Sequence, residues 1–164
     1  MDERTQNLIE ECRQQEKNCL YTSATLFEWL KCLRFWKIVF VVSPIGLGGI
    51  ANWPLLTGDD SYKWLTGVCA LLAGLALAVY KALDLDISLN QIATHANQFK
   101  VLQDRFRQAW RIASLSPFED FKKEFDDLMT RLDVTRSSSP VGPERFFKKA
   151  QKKILAGHYD FAVD

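Results

Sequence analysis

Charge disappears from the chain twice. Ile38 to Gly58 is a run of 21 residues without a charged side chain, and Trp64 to Tyr80 is a run of 17. At about 1.5 Å per helical residue the two runs reach roughly 32 Å and 26 Å, against about 30 Å for the hydrocarbon core of a bilayer. Neither shows the polar stripe that a helix in a small soluble domain turns toward water. Trp36 and Tyr80 bracket the runs on one side, and Trp53, Tyr62 and Trp64 on the other, in the manner of an interfacial aromatic belt. Lys63 and Lys81 extend the shorter run by snorkelling, and Leu83 and Leu85 add apolar length beyond it. The pattern predicts a transmembrane helical hairpin: a first span over 38–58, a short external turn at 59–63 and a second span over 64–80. A buried helix pair in a soluble bundle is the rival reading. A cleaved signal peptide does not fit, because the first run begins too deep in the chain and is too long.

Basic residues set the expected orientation. Lys31, Arg34 and Lys37 precede the first run, and Lys81, Lys100, Arg105 and Arg107 follow the second, whereas the turn carries Asp59, Asp60 and a single Lys63. The positive-inside rule places residues 1–37 and 81–164 in the cytoplasm of a two-span inner-membrane protein.

Both flanking arms read as amphipathic helices. Residues 3–37 lack proline and glycine, and Cys12, Cys19, Leu26 and Leu33 recur every seven positions, with Ile9, Ser23 and Leu30 between them and Glu16 as a polar break. A second continuous helix is expected from Lys81 to Ala113. Its seam is Leu89, Ile92, Ala96, Phe99, Gln103, Phe106, Ala109 and Ala113, with His95 beside it as a packed or surface residue. Because a hairpin returns the chain to its starting side, the two arms can pair antiparallel. Ser116-Pro117-Phe118-Glu119 predicts a helix start, with serine as cap, proline at the first position and glutamate closing a capping box. The stripe Phe118, Phe121, Phe125, Leu128 and Leu132 follows. Ser137 to Pro143 reads as a linker, and Glu144 to Ala156 as a last helix stopped by Gly157 and rich in lysine (Lys148, Lys149, Lys152, Lys153). That basic face is either solvated or close to anionic lipid. The fold class expected is all-α: a two-helix transmembrane hairpin with long amphipathic cytoplasmic helices forming a bundle, one domain over 1–164.

Two sets of residues inside the spans carry the candidate chemistry. In the first span Pro44 removes a backbone donor and predicts a kink near Val41–Ser43. Gly46, Gly48 and Gly49 follow it, Asn52 is the one strongly polar side chain of the spans, and Pro54 is expected to end the helix. This segment is a candidate hinge or pore lining, and equally a tight packing site, since proline and glycine are common in membrane helices. In the second span Gly67, Ala70, Gly74 and Ala78 fall within about 80° of arc and form a candidate helix-packing face. Leu65, Val68, Leu72, Ala76 and Val79 cover the lipid-facing side. The small stripe fits the first span or another copy of the chain.

Composition removes several classes. A net charge of +1 over 164 residues gives no electrostatic case for nucleic acid. Cys12, Cys19, Cys32 and Cys69 show neither CxxC spacing nor a histidine cluster, so reduced, packing thiols are expected, with no metal and no cofactor. Asp84, Asp86, His95 and His158 form no catalytic spacing, and an enzyme is not expected.

The layout of long amphipathic helix, hairpin with tight turn, long helix, capped helix and basic closing element Pro143-Glu-Arg-Phe-Phe-Lys-Lys-Ala150 resembles the SLATT family. These are two-transmembrane effector domains associated with nucleotide-synthase (SMODS) and nucleotide-sensor (SLOG) proteins. The resemblance covers nearly the whole chain. It implies a non-catalytic effector of a prokaryotic antiviral conflict system, oligomeric in the inner membrane and able to permeabilise it when a nucleotide synthase or sensor is triggered in trans. The rival functional reading is a membrane-anchored adaptor, whose cytoplasmic bundle docks a partner while the hairpin only tethers it.

Overall fold

The computed structural model of the chain describes residues 2–57 and 63–159, the side chains at 53–57, 63, 65 and 85 excepted. The turn expected at 59–63, the belt positions Trp53 and Tyr62, and the side chains of Lys63, Leu65 and Leu85 lie outside that description. The protein is all-α, and no strand occurs among the described residues. Five helices follow one another: α1 (Glu3–Thr57), α2 (Lys63–Ala82), α3 (Leu85–Arg111), α4 (Phe118–Ser138) and α5 (Glu144–Leu155). The chain divides into two compact units, Met1–Leu30 with Gln91–Asp164, and Lys31–Asn90.

The first unit is built on apolar stripes at helical spacing. Cys12, Cys19, Ser23, Leu26 and Leu30 of α1 are buried, as are Ile92, Ala96, Phe99, Gln103, Phe106 and Ala109 along α3; Leu89, buried too, falls in the second unit. Phe121, Leu128 and Leu132 supply the buried face of α4, and Phe106 meets Phe125 edge-on with ring centroids 6.3 Å apart. Tyr21 of α1 meets Phe147 of α5 at 6.1 Å. The expected seams are therefore largely buried, with Ile9, Glu16, Leu33, Ala113, Phe118 and Phe125 only half so. The seam does not account for the whole of α1: Ala24, Thr25 and Glu28 are buried too, so this helix is enclosed on more than one side around residues 23–30.

Polar positions within these stripes are paired. Glu16, expected as a break in the seam, accepts from Arg107 Nε and from Trp110 Nε1, each at 2.7 Å, so both carboxylate oxygens are bonded. Gln15 accepts from Arg136 at 3.1 Å. Glu28 is 0% exposed and is met by two lysines of α5, Lys153 at 2.6 Å and Lys149 at 3.2 Å. A carboxylate removed from water is tolerable only with such partners. Burial pushes the thiols of Cys12 and Cys19 up to about 12, which leaves both protonated and unreactive at neutral pH. Among the described residues all four cysteines are free thiols.

Helix boundaries depart from expectation in four places. The expected continuous helix from Lys81 to Ala113 is broken: α2 stops at Ala82, Asp84 takes a left-handed φ of 41°, and its carbonyl accepts the first α3 bond from Ser88 N–H at 3.1 Å. Aspartate tolerates that conformation better than most residues, so a turn forms with neither glycine nor proline. α3 ends at Arg111, and a single 3₁₀ turn, Ala113–Leu115, follows. That turn uses Ser116 N–H, and the capping box does not form: Pro117 occupies the N-cap position of α4 without a side-chain cap, and its carbonyl accepts from Asp120 and Phe121. Pro54 does not end α1, which continues to Thr57. α5 closes as expected, with Gly157 at φ 77° bonding Ile154 and His158 bonding Lys153, the paired bonds of a Schellman motif.

Candidate membrane-facing surface

The unit Lys31–Asn90 has little interior. Along its apolar stretches Phe40, Ser43, Pro44, Leu47, Gly48 and Ala51 of α1 are half-buried or buried, spaced three and four apart, after Cys32, Leu33, Lys37 and Val39 nearer the start of the unit; on α2 the half-buried or buried positions are Thr66, Cys69, Ala73, Ala76, Val79 and Tyr80. Cys69 and Ala51 are the most enclosed, and Thr66 Oγ1 donates to the Ala51 carbonyl at 3.0 Å. Lys37 Nζ lies 2.5 Å from Asp86, and the Tyr80 hydroxyl donates to the same carboxylate at 2.5 Å. The two apolar stretches are thus tied at both ends: Ala51 to Thr66 at one, Lys37 to Tyr80 and Asp86 at the other. Each of Lys37 and Asp86 favours the charged form of its partner: the hydrogen bond that Lys37 donates holds Asp86 below the usual carboxylate range, and the same bond, accepted by Asp86, raises Lys37.

Most other described side chains of the two apolar stretches are exposed. Ile45 and Leu71 are 73% and 72% exposed, and Ile38, Val42, Ile50, Trp64, Val68, Leu75 and Leu77 are exposed as well. α1 is long and apolar enough to cross a membrane, and none of its most apolar 18-residue window is buried.

The candidate residues separate into two groups on this surface. Pro44 and Gly48 lie on the half-buried side of α1, while Gly46, Gly49 and Asn52 are exposed. α1 is helical through Pro44, whose missing N–H leaves the Phe40 carbonyl without its usual intrahelical donor. Asn52 donates from Nδ2 to the Gly48 carbonyl at 2.9 Å, a bond inside its own helix. On α2 all four of Gly67, Ala70, Gly74 and Ala78 are exposed, so the stripe is not the face used within the chain. A Cβ added at Gly46, Gly48, Gly49, Gly67 or Gly74 would meet no atom within 4 Å, apart from its own helix backbone and chain neighbours. Ala76 and Val79, expected on the lipid side with Leu72, belong to the half-buried side instead.

Sequence reasoning missed the contact row Thr66–Cys69–Ala73–Ala76–Tyr80, although its 3-4-3-4 spacing is that of a helix face. Every residue of α2 but its terminal lysines is apolar or small, so hydropathy alone marks no side as special. It also missed the Lys37–Asp86 pair, since Asp86 was read only against catalytic spacings. Comparison of the chain with known protein families, with curated proteins and with solved structures finds no match in any of the three.

Proposed function

We propose that the chain is a two-span membrane protein whose apolar helices form a hairpin with both termini in the cytoplasm, and that it assembles with copies of itself to permeabilise the bilayer. One observation carries this reading: the second unit leaves most of its described large apolar side chains exposed, together with a stripe of small residues that no described residue covers. In water such a surface is a liability, whereas a bilayer covers it with lipid or with other helices. The bonds Thr66–Ala51 and Lys37–Asp86, at opposite ends of the two stretches, support the hairpin. Lysine and arginine asymmetry supports the orientation.

Assembly would proceed through Gly67, Ala70, Gly74 and Ala78, where small side chains let helix backbones approach closely. A path through the assembly needs polar or backbone surface, and the Phe40 carbonyl, which lacks its donor at Pro44, with Gly46, Gly49 and Asn52, would supply it. The first unit would act as the cytoplasmic helical bundle that receives the signal, in the manner of a SLATT-type effector activated by a nucleotide synthase or sensor in trans.

Dye release from liposomes tests the activity. Purified protein, with its genomic partner activated, is expected to empty vesicles of a small fluorophore. Intact vesicles under those conditions would overturn the effector reading in favour of the anchored adaptor. Topology is tested in a version whose native cysteines are replaced: Ser61→Cys should react with an impermeant thiol reagent on intact cells, and Ser138→Cys should not. The reverse pattern would overturn the orientation.

A further inference from the structure

The connector between α4 and α5 reads in sequence as a linker, yet it is pressed onto α1. A Cβ at Gly142 would sit 3.0 Å from Thr25 Cγ2, so only glycine fits this approach without displacing the threonine. Pro140 and Pro143 hold two φ angles of the segment fixed. Beside it lies a cavity of about 280 Å³, just below the size range of clefts for drug-sized ligands. It is lined by Leu26 of α1, Phe99 of α3 and Phe147 of α5, and by the polar side chains of Thr22, Thr25 and Arg136. Four helices and the connector therefore converge on it.

The polar groups define what the cavity can hold. Thr22 Oγ1 donates to the Asn18 carbonyl at 2.9 Å and Thr25 Oγ1 to the Tyr21 carbonyl at 2.7 Å. With their protons so committed, both oxygens retain only acceptor capacity. Arg136 gives one N–H to the neutral Gln15 Oε1 at 3.1 Å, and no carboxylate among the described residues lies within ion-pair distance of it. Glu16, Glu28 and Asp86, by contrast, are each taken by a named cation. A guanidinium beside apolar and aromatic walls is a fork for a planar or tetrahedral oxyanion.

We propose that this cavity binds a small amphipathic oxyanion: an aromatic or branched apolar body seated on Leu26, Phe99 and Phe147, a carboxylate or phosphate on Arg136, and an N–H or O–H donor toward the threonine oxygens. The site belongs to the first unit and does not depend on the proposed membrane activity.

Ligand-detected fluorine NMR on the full chain in zwitterionic nanodiscs tests it, with a fluorinated indole acetate and a fluorinated phenyl phosphate as probes. At least one is expected to bind with a sub-millimolar Kd. That probe should weaken by about tenfold or more in Arg136→Gln, and the indole acetate, if it binds, by a like factor when its carboxylate is replaced by an alcohol. Thr22→Phe, which fills the cavity, should abolish binding with the helical circular dichroism unchanged. Arg131→Gln, one turn earlier on α4 and outside the cavity, should bind as wild type does. The proposal is overturned if neither probe binds, or if Arg136→Gln and Thr22→Phe, folded by the same criterion, bind as well as wild type.

Discussion

The two units of this protein treat polar and apolar groups in opposite ways. In the first, Glu28, Gln15 and Gln103 are buried, and charged side chains such as Glu16 and Arg107 are engaged across helices. In the second, leucine, isoleucine and valine are exposed on both apolar stretches, while Thr66, Cys69 and Ala51 form a narrow contact row. The first arrangement is that of a chain folded against water, where the apolar stripe is hidden and a buried charge needs a partner. The second is the arrangement expected of helices in apolar surroundings, which the proposed bilayer setting would supply. On that proposal, substitutions of one kind should have opposite consequences in the two units.

Aspartate makes the sharpest version. Leu26 is 1% exposed, so Leu26→Asp buries an unpaired carboxylate and should cost several kcal/mol. Loss of the folded first unit, read as lost thermal cooperativity or rapid proteolysis, is the expected result. Leu71 is 72% exposed, and in water Leu71→Asp would be nearly silent. Within a bilayer the same change costs about 2.5–3.5 kcal/mol at mid-helix, so carbonate extraction should find Leu71→Asp released or degraded while wild type stays in the membrane. Equal behaviour of Leu71→Asp and wild type would show that α2 meets water.

The buried carboxylate gives an asymmetric test within the first unit. Replacing Lys149 and Lys153 together by methionine leaves Glu28 buried without those two cations, and about 3–5 kcal/mol of destabilisation is expected. Glu28→Gln leaves two lysines that are already partly exposed and can hydrate, so about 1 kcal/mol is expected. Chemical denaturation of both variants checks the order. Glu28→Gln as damaging as the double variant would mean that the carboxylate is needed for more than neutralising α5.

These residues also show what was legible beforehand. The seams through Leu26, Ile92, Phe106 and Phe121 were readable because burial recurs with the helix period, and that period is written in the sequence. Glu28 was not, because its partners stand 121 and 125 positions away and nothing local distinguishes it from a solvated glutamate. The turn at Asp84 was missed because its left-handed residue is not a glycine. The capping box at Ser116 failed because the preceding 3₁₀ turn had already taken that residue's N–H. In the second unit the apolar runs were plain, but the small-residue stripe is one of several helix faces, and composition could not say which one α1 would use.

That stripe supplies the next test of the comparison. Gly74 is exposed and open in the single chain, so Gly74→Leu should leave the Ala51–Thr66 and Lys37–Asp86 contacts intact. Between copies it would hold helices apart and cost about 1–3 kcal/mol of association by overpacking. Crosslinking in membranes is expected to show the oligomer reduced, with insertion retained and toxicity on overexpression lost. Leu72→Ala, on the opposite arc, should assemble as wild type does. An unchanged oligomer in Gly74→Leu would remove the stripe as the assembly surface.

The smallest expected effect lies at the Lys37–Asp86 pair, which flanks the apolar stretches and is half-exposed. Asp86 is held below its ordinary value of 3.8, chiefly by the hydrogen bond from Lys37 and next by that from Tyr80. A carboxylate whose folded pKa is depressed contributes stability above its unfolded pKa and loses it as pH falls through the folded value. Lys37 is raised above 10.5, chiefly by the hydrogen bond it donates to Asp86, so its contribution is complete below that value and is lost as pH rises beyond it. The pair therefore holds through the whole neutral range and weakens only in acid below the usual aspartate range or in strong base. Carboxyl NMR of Asp86 should find its pKa rising toward the ordinary value in Lys37→Met, and rising less in Tyr80→Phe. High salt should shrink the shift, because both side chains meet solvent. If Lys37→Met leaves the Asp86 titration where it was, the tie at this end of the apolar stretches is absent, and the proposed hairpin rests on the Ala51–Thr66 contact alone.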